Sequence, residues 1–287
     1  MKACGTKVIN YCCHSPEITL WNLADLHVGT VACAEGVLRD DIKEIADDPF
    51  ALWVGGGDYA EWINVKSPHF DTTTVAPWLH HCIGGDIAPV VQERIIELFW
   101  PIRDKCLGLA LGNHERNFMV HGKREGMFDE IAIELGVQNL GYSGIMGLKL
   151  CRVAGNKVNG LLVGKCDKRV LSARKYTLCV FHGSGAAQTP GGKINTLDKL
   201  MRITNADITF CGHLHDQLGR RQNTITTNRT CSKLESISRI GLMSGSYLKT
   251  YSEECTTYGE VRGYLPTCLG AAKVIIKPAI NKVYAII

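Results

Sequence analysis

In the stretch Leu109-Ala110-Leu111-Gly112-Asn113-His114-Glu115, a short apolar run stops at a glycine and passes at once to an amide, an imidazole and a carboxylate. Apolar runs of this length form inner strands of a sheet, and ligands collect where the carboxyl ends of such strands open to solvent. Four other places repeat the design: Leu23 to His27, Leu52 to Asp58, Leu178 to His182 and Ile208 to His215. The fold follows from whether these five endings converge on one site.

Working outward, Ile18 to Leu23 reads as a strand that delivers Asp25 and His27 to its end. Ala34 to Asp47 carries apolar residues on one side only, a helical pattern closed by Asp48-Pro49. Phe50 to Val54 is the next strand, and strand-helix-strand in this order implies a parallel pair. Tyr59 to Ile87 is an irregular excursion near the site. A helix then starts at Pro89, the strand Leu107 to Leu111 follows, and Asp129 to Leu135 is a short helix. From Gly144 the texture changes to short β-like runs, Ile145 to Val153, Gly160 to Val163 and Tyr176 to Phe181, which predict a second sheet. The helical stretch Thr196 to Ile203 precedes the strand to Cys211. Gly219 to Arg229 is polar, and Ile240 to Met243 and Ala272 to Lys277 read as closing strands. The expectation is one domain over residues 1–287, with the β-rich segment 216–287 closing the second sheet.

The 287 residues are 45% hydrophobic, ample for a core, and the net charge of +4 neither demands nor excludes a polyanionic partner. Thirteen cysteines without a repeating spacing, and an N-terminus without the apolar segment of a signal peptide, point to a reducing, cytoplasmic compartment. No apolar run approaches the length of a membrane span, so no membrane is expected.

Asp25, His27, Asp58, Asn113, His114, His182, His213 and His215 are the strand-end residues. Carboxylate, imidazole and amide oxygen suit two divalent cations such as manganese, iron or zinc. Asp58 stands at a glycine-rich turn that gives room for close approach. Asp25 and His27, or His213 and His215, point the same way if the chain is extended there.

Five blocks, Asp25-Leu26-His27, Gly57-Asp58-Tyr59-Ala60-Glu61, Gly112-Asn113-His114-Glu115, His182 and Gly212-His213-Leu214-His215, together resemble the ordered signature of the calcineurin-like metallophosphoesterases. The resemblance covers Ile18 to His215. It implies an α/β fold of two mixed β-sheets packed as a sandwich flanked by helices, in four αββα layers. It implies that Asp25, His27 and His215 hold one ion, that Asn113, His182 and His213 hold the other, and that Asp58 bridges them. It further implies hydrolysis of a phosphoester by a hydroxide shared between the ions, with His114 as general acid oriented by Glu61.

Three functional readings stand beside one another. A phosphomonoesterase in the manner of the protein phosphatases matches Gly112 to Glu115, but Glu61-Trp62-Ile63 replaces their Asp-Arg-Gly and the substrate arginine is missing. A phosphodiesterase or nuclease shares Asp25-Leu26-His27-Val28-Gly29 and the final His-x-His block, and Arg220, Arg221, Arg229, Lys233 and Arg239 offer cations to a DNA or RNA backbone. The third is a metal-binding scaffold without turnover, which typically loses a ligand or the acid histidine, both kept here. The phosphodiesterase or nuclease is slightly favoured. The remaining candidates, His69, His80, His81 and His121, match no motif, and Gly191-Gly192-Lys193 is not a phosphate-binding loop because Ile194 replaces the hydroxyl residue.

Overall fold

The computed structural model describes residues 1–62, 71–122, 124–155 and 160–287. In chain order its first half runs β1 (Lys2–Tyr11), β2 (Ile18–Ala24), α1 (Glu35–Asp47), β3 (Ala51–Gly57), α2 (Ala88–Phe99), β4 (Cys106–Ala110), α3 (Asn113–Gly122), α4 (Met127–Glu134) and β5 (Asn139–Gly141). The second half runs β6 (Ser143–Val153), β7 (Leu162–Val163), β8 (Val170–Phe181), α5 (Pro190–Ile203), β9 (Ile208–Cys211), β10 (Gln217–Thr227), β11 (Leu234–Ser244), α6 (Tyr258–Val261), β12 (Ala272–Lys277) and β13 (Lys282–Ile286). His69 lies outside the described residues.

Two mixed sheets result. One has the order β13-β12-β2-β3-β4-β5 and the other β10-β11-β9-β8-β6-β1-β7. The period of two along each inner strand explains how they stack. In β2, Ile18 and Leu20 face the opposite sheet while Trp21 and Leu23 face the helices. In β3, Leu52 and Val54 do the first and Trp53 the second. Leu38 and Ile45 of α1, Ile95 and Phe99 of α2 and Ile131 of α4 seal the outer face of the first sheet. Leu197 and Met201 of α5 cover the outer face of the second against Met243. The layers are therefore helix, sheet, sheet, helix. Each fully buried Leu or Ile between them contributes roughly 1.5–3 kcal/mol.

Within the first sheet β2, β3, β4 and β5 are parallel, and within the second β8, β9 and β11 are parallel. Among the described residues no helix is long and apolar enough to cross a membrane.

The structure corrects several expectations. The C-terminal segment does not close only the second sheet: β10 and β11 join it, but β12 pairs antiparallel with β2 and carries β13, completing the first. The polar stretch from Gly219 to Arg229 is largely strand. Its backbone bonds to β11 in register from Gln217↔Ser244 to Thr227↔Leu234, so an exposed hairpin needs no buried face. Gly191-Gly192-Lys193 forms the first turn of α5, where Pro190 presets φ and Thr189 Oγ1 accepts from Gly192 N at 3.3 Å. His80 Nε2 donates to Val75 O at 3.0 Å, and His80, His81 and His121 lie on the surface away from the strand ends.

Candidate metal centre

All five strand endings meet. β2, β3 and β4 of one sheet and β8 and β9 of the other open on the same edge of the sandwich, and the side chains just beyond them face one another. The chain does not stay extended there. Asp25, His27, Asp58, Trp62, His213 and His215 have φ of 55°, 51°, 53°, 48°, 71° and 47°. Left-handed backbone at a residue with a Cβ costs of order 1–3 kcal/mol and gathers at functional sites. The expectation that the paired residues share a side through strand alternation is thus corrected. They do converge, but through a strained turn after each strand.

Close approach of main chains makes the turns possible. A Cβ on Gly112 would collide with Asp58, and one on Gly212 would lie 2.6 Å from Asp25 Oδ2. Only glycine admits the two carboxylates at these points.

Three groups of ligand atoms lie within 4.8 Å of one another: Asp25, His27 and His215; His27, Asp58 and His114; and Asp58, His182 and His213. Asp58 and His27 are shared, so the groups form one continuous centre. His27 Nε2 is 3.2 Å from His215 Nε2, and His215 Nε2 is 3.4 Å from Asp25 Oδ1. His182 Nε2 is 3.2 Å from Asp58 Oδ2 and 2.9 Å from Asn113 Oδ1. His114 donates its backbone N–H to Asp58 Oδ1 at 2.8 Å, and its Nε2 is 4.0 Å from Asp58 Oδ2.

The donor set fits cations for a reason visible in the hydrogen bonds. His182 Nδ1 is 2.8 Å from Gly56 O, which can only accept, so Nδ1 carries hydrogen and Nε2 turns towards two oxygens. His27 Nδ1 bonds Glu61 Oε2 at 2.7 Å, so its Nε2 turns to the His215 nitrogen. In each place a proton or a cation has to lie between electron pairs that would otherwise repel. His213 completes the pattern, with Nε2 held 3.0 Å from Gly185 O and Nδ1 left free. Such anchoring of the far ring nitrogen is how metal-binding histidines are oriented.

Electrostatics agree. Burial opposes a charge on His27 and on His182, but the Glu61 carboxylate on the first and Asp58 on the second outweigh it, and both pKa values rise to about 9. Burial also opposes ionised Asp25 and Asp58, yet His215 and His182 respectively hold them below the usual carboxylate range. The centre is built to keep its carboxylates ionised.

The two glutamates, which read alike as loop acids from their positions alone, differ: the Glu61 side chain keeps 35% exposure while Glu115 is fully buried. Glu115 is 0% exposed. Its Oε2 accepts from Asp58 N and Gly112 N, both at 2.9 Å, and its Oε1 from Tyr59 N at 2.7 Å and Trp62 Nε1 at 2.9 Å. Burial and the neighbouring Asp58 charge raise its pKa. Glu61 bonds His27, while its Oε1 stays 3.8 Å from His114 Nδ1; the nearer acceptor for His114 is the Glu61 backbone carbonyl at 3.3 Å. Sequence reasoning missed Gly56, Gly185 and Tyr247. Gly56 and Gly185 contribute backbone carbonyls to the histidine rings, and Tyr247 N donates to Asp25 O at 2.9 Å.

A cavity of about 690 Å³ opens from the centre. His27, Asp58, His114 and His215 form its floor, and Lys249, Tyr258 and Tyr264 belong to its far wall. The basic residues of the β10–β11 hairpin are not part of it. Arg220 and Arg221 project to opposite faces, one to Asp198 at 2.9 Å and the other to Val283 O at 3.0 Å. The hairpin carries Arg229 and Lys233 away from the site.

The four layers agree with the fold that the five blocks imply. The resemblance to the calcineurin-like metallophosphoesterases holds in fold. No family model matches the chain, and no curated protein matches it by sequence. Among solved structures, it is similar to a conserved uncharacterised protein, a predicted phosphoesterase, from Streptococcus pneumoniae, at 10% identity over 94% of this chain and 99% of that one, with a TM-score of 0.34. Wild-type vacuolar protein sorting 29 of Entamoeba histolytica, complexed with zinc, is similar at 10% identity over 94% and 97%, TM-score 0.37. The vacuolar protein sorting 29 of Cryptosporidium parvum gives 11% identity over 94% and 97%, TM-score 0.36.

Proposed function

We propose that the chain is a dinuclear-metal phosphoesterase that hydrolyses a phosphodiester. The observation that carries the reading is Asp58, whose carboxylate belongs at once to a group with His27 and His114 and to a group with His182 and His213. Asp25, His27 and His215 would hold one divalent cation, Asn113, His182 and His213 the second, and Asp58 both. Bound there, the cations would supply an activated water and positive charge for the phosphoryl oxygens.

The chain's own residues do the rest. His114 is 29% exposed, with Nδ1 towards the Glu61 carbonyl and its other edge towards the cavity. In that place its Nε2 would hand a proton to the departing oxygen. Glu61 keeps His27 in place, and Glu115 keeps the Asp58 turn and the Gly112 turn together. Trp62, which stands where the protein phosphatases have arginine, is 5% exposed and tied to Glu115. Beyond the histidines of the centre, Lys193 and Lys249 are the cationic side chains among the described residues lining the cavity, and Lys193 is paired with Asp216 at 3.1 Å. So little fixed positive charge suits a diester monoanion better than a monoester dianion.

The test compares bis-p-nitrophenyl phosphate with p-nitrophenyl phosphate on chain loaded with manganese, iron or zinc. Faster cleavage of the diester is expected. Faster cleavage of the monoester would overturn the substrate preference, and no turnover of either would leave a metal-binding scaffold. His114→Asn should lower kcat by about 10²–10⁴-fold while metal stoichiometry stays unchanged. A fall in stoichiometry instead would make His114 a ligand, as its place beside His27 and Asp58 also permits.

A further inference from the structure

Far from the metal centre, the second sheet contains a gap one strand wide. The short strand β9 lies between β8 and β11, pairing with Leu178–Phe181 of one and Ile240–Met243 of the other. β8 begins at Val170 and β11 at Leu234, so Val170–Lys175 and Leu234–Arg239 run beside each other with no strand of the described residues between them. Two strands that flank a third lie about 10 Å apart, twice the ordinary strand spacing.

Asp207 ends the ladder. Its N–H donates to Thr177 O at 2.9 Å, its O accepts from Ile240 N at 2.9 Å, and its Oδ2 accepts from Thr177 N at 2.7 Å. Thr177 and Ile240 thus turn their backbone groups towards β9. By alternation, Ala173 and Lys175 on one rim and Leu234, Ser236 and Ser238 on the other turn theirs into the gap. Among the described residues none of these groups has a strand partner on that side. They are the unpaired rows that a further strand would satisfy.

The chemistry of the gap selects an occupant. A cavity of about 480 Å³ opens through it, with Lys175 and Asp207 on one side, Ser236 and Ser238 on the other, and Arg221 and Lys282 also lining it. Three cations face one carboxylate, and that carboxylate is already bonded to Thr177 N. Ile240 and Leu242 belong to the core between the sheets, so Ser236 and Ser238 share that inner face and Ile237 lies on the outer one. Ile237 is 39% exposed, and Leu171 on the opposite rim is 48% exposed.

We propose that this gap receives an extended segment of a partner protein, acidic on one face and apolar on the other, as a strand that continues β9. Backbone pairing to both rims supplies binding that does not depend on sequence, and the Arg221 and Lys282 side supplies the preference for acid. The site is independent of the phosphoesterase reading and stands whether or not turnover is found.

The test uses the full chain and two labelled octapeptides, one alternating glutamate and valine, the other lysine and valine. Fluorescence anisotropy should show saturable binding of the first alone. Hydrogen exchange should slow at Ala173, Lys175, Ser236 and Ser238. Ser236→Pro removes a gap-facing N–H without touching the β10 ladder, and should weaken binding at least tenfold with the circular dichroism spectrum unchanged. Should that variant unfold, Lys282→Glu tests the acid preference through charge and should also weaken binding. Equal binding of the two peptides, protection elsewhere, or binding unaltered in a folded variant would overturn the proposal. So would protection of these amides that grows with protein concentration without peptide, since the rims would then pair with a second copy of the chain.

Discussion

Glu61 Oε2 lies 2.7 Å from His27 Nδ1, and that bond decides which nitrogen of His27 is free for a cation. The effect of Glu61 is therefore expected on affinity more than on the proton transfer assigned to His114. Glu61→Ala should weaken the cation held by Asp25, His27 and His215 by about 10–100-fold, the usual loss when the carboxylate behind a metal-binding histidine is removed. Isothermal titration with zinc measures it. A variant whose two affinities both match the parent would mean that the left-handed backbone at His27 sets the ring alone. The distinction between Glu61 and Glu115 is invisible in the sequence. Both follow a reactive residue by a few positions, and only the folded chain shows that one caps a histidine ring while the other is swallowed by backbone donors.

At the scale of elements, α3 begins inside Gly112-Asn113-His114-Glu115, where the sequence suggests a loop after a strand. Glu115 stands in its first turn, favourable for negative charge at a helix N-terminus, and it also bonds the β3 turn through Asp58 N and Tyr59 N. Glu115→Ala leaves those buried N–H groups and Trp62 Nε1 without an acceptor. A loss of about 3 kcal/mol or more follows from the desolvation cost of such groups, read as a lower urea midpoint with little change in slope. A midpoint within experimental error of the parent would show that water replaces the carboxylate. The parallel strands around β2, β3, β4, β8 and β9 were legible because both of their faces are buried, which writes continuous apolar runs. β1 was not, since Lys2-Ala3-Cys4-Gly5-Thr6-Lys7 has its exposed and buried positions out of alternation. β10 was not either, because most of its length has no buried face and only its partner strand defines it. The ligand residues were legible for the opposite reason: chemistry fixes their identity, and strand ends fix their order. Their convergence is three-dimensional, and the strained turns that achieve it leave no mark beyond the adjacent glycines.

For the molecule as a whole, the centre joins the two sheets. Asp25, His27, Asp58 and Asn113 follow strands of the first, and His182, His213 and His215 follow strands of the second. Cations bound to this set would link the sheets at one edge, so they should stabilise the entire fold rather than a local loop. Ligand binding to the folded state adds RT ln(1 + [L]/Kd), about 4 kcal/mol at a thousandfold excess over Kd. For a chain of this size that corresponds to a rise in Tm of several degrees. Thermal unfolding in manganese or zinc, compared with chelator, should therefore move as one cooperative transition, followed equally by tryptophan fluorescence and far-ultraviolet circular dichroism. Trp21 and Trp53 report the first sheet, while the circular dichroism reports both. Asp58→Asn shortens the link by one charge at the shared position and should abolish most of the metal-dependent rise while the chelated Tm changes less. A rise of the same size in Asp58→Asn would place the stabilising cation elsewhere. A rise seen by fluorescence but not by circular dichroism would mean that the metal holds only the first sheet, and the two groups of ligands would then be separate sites instead of one centre.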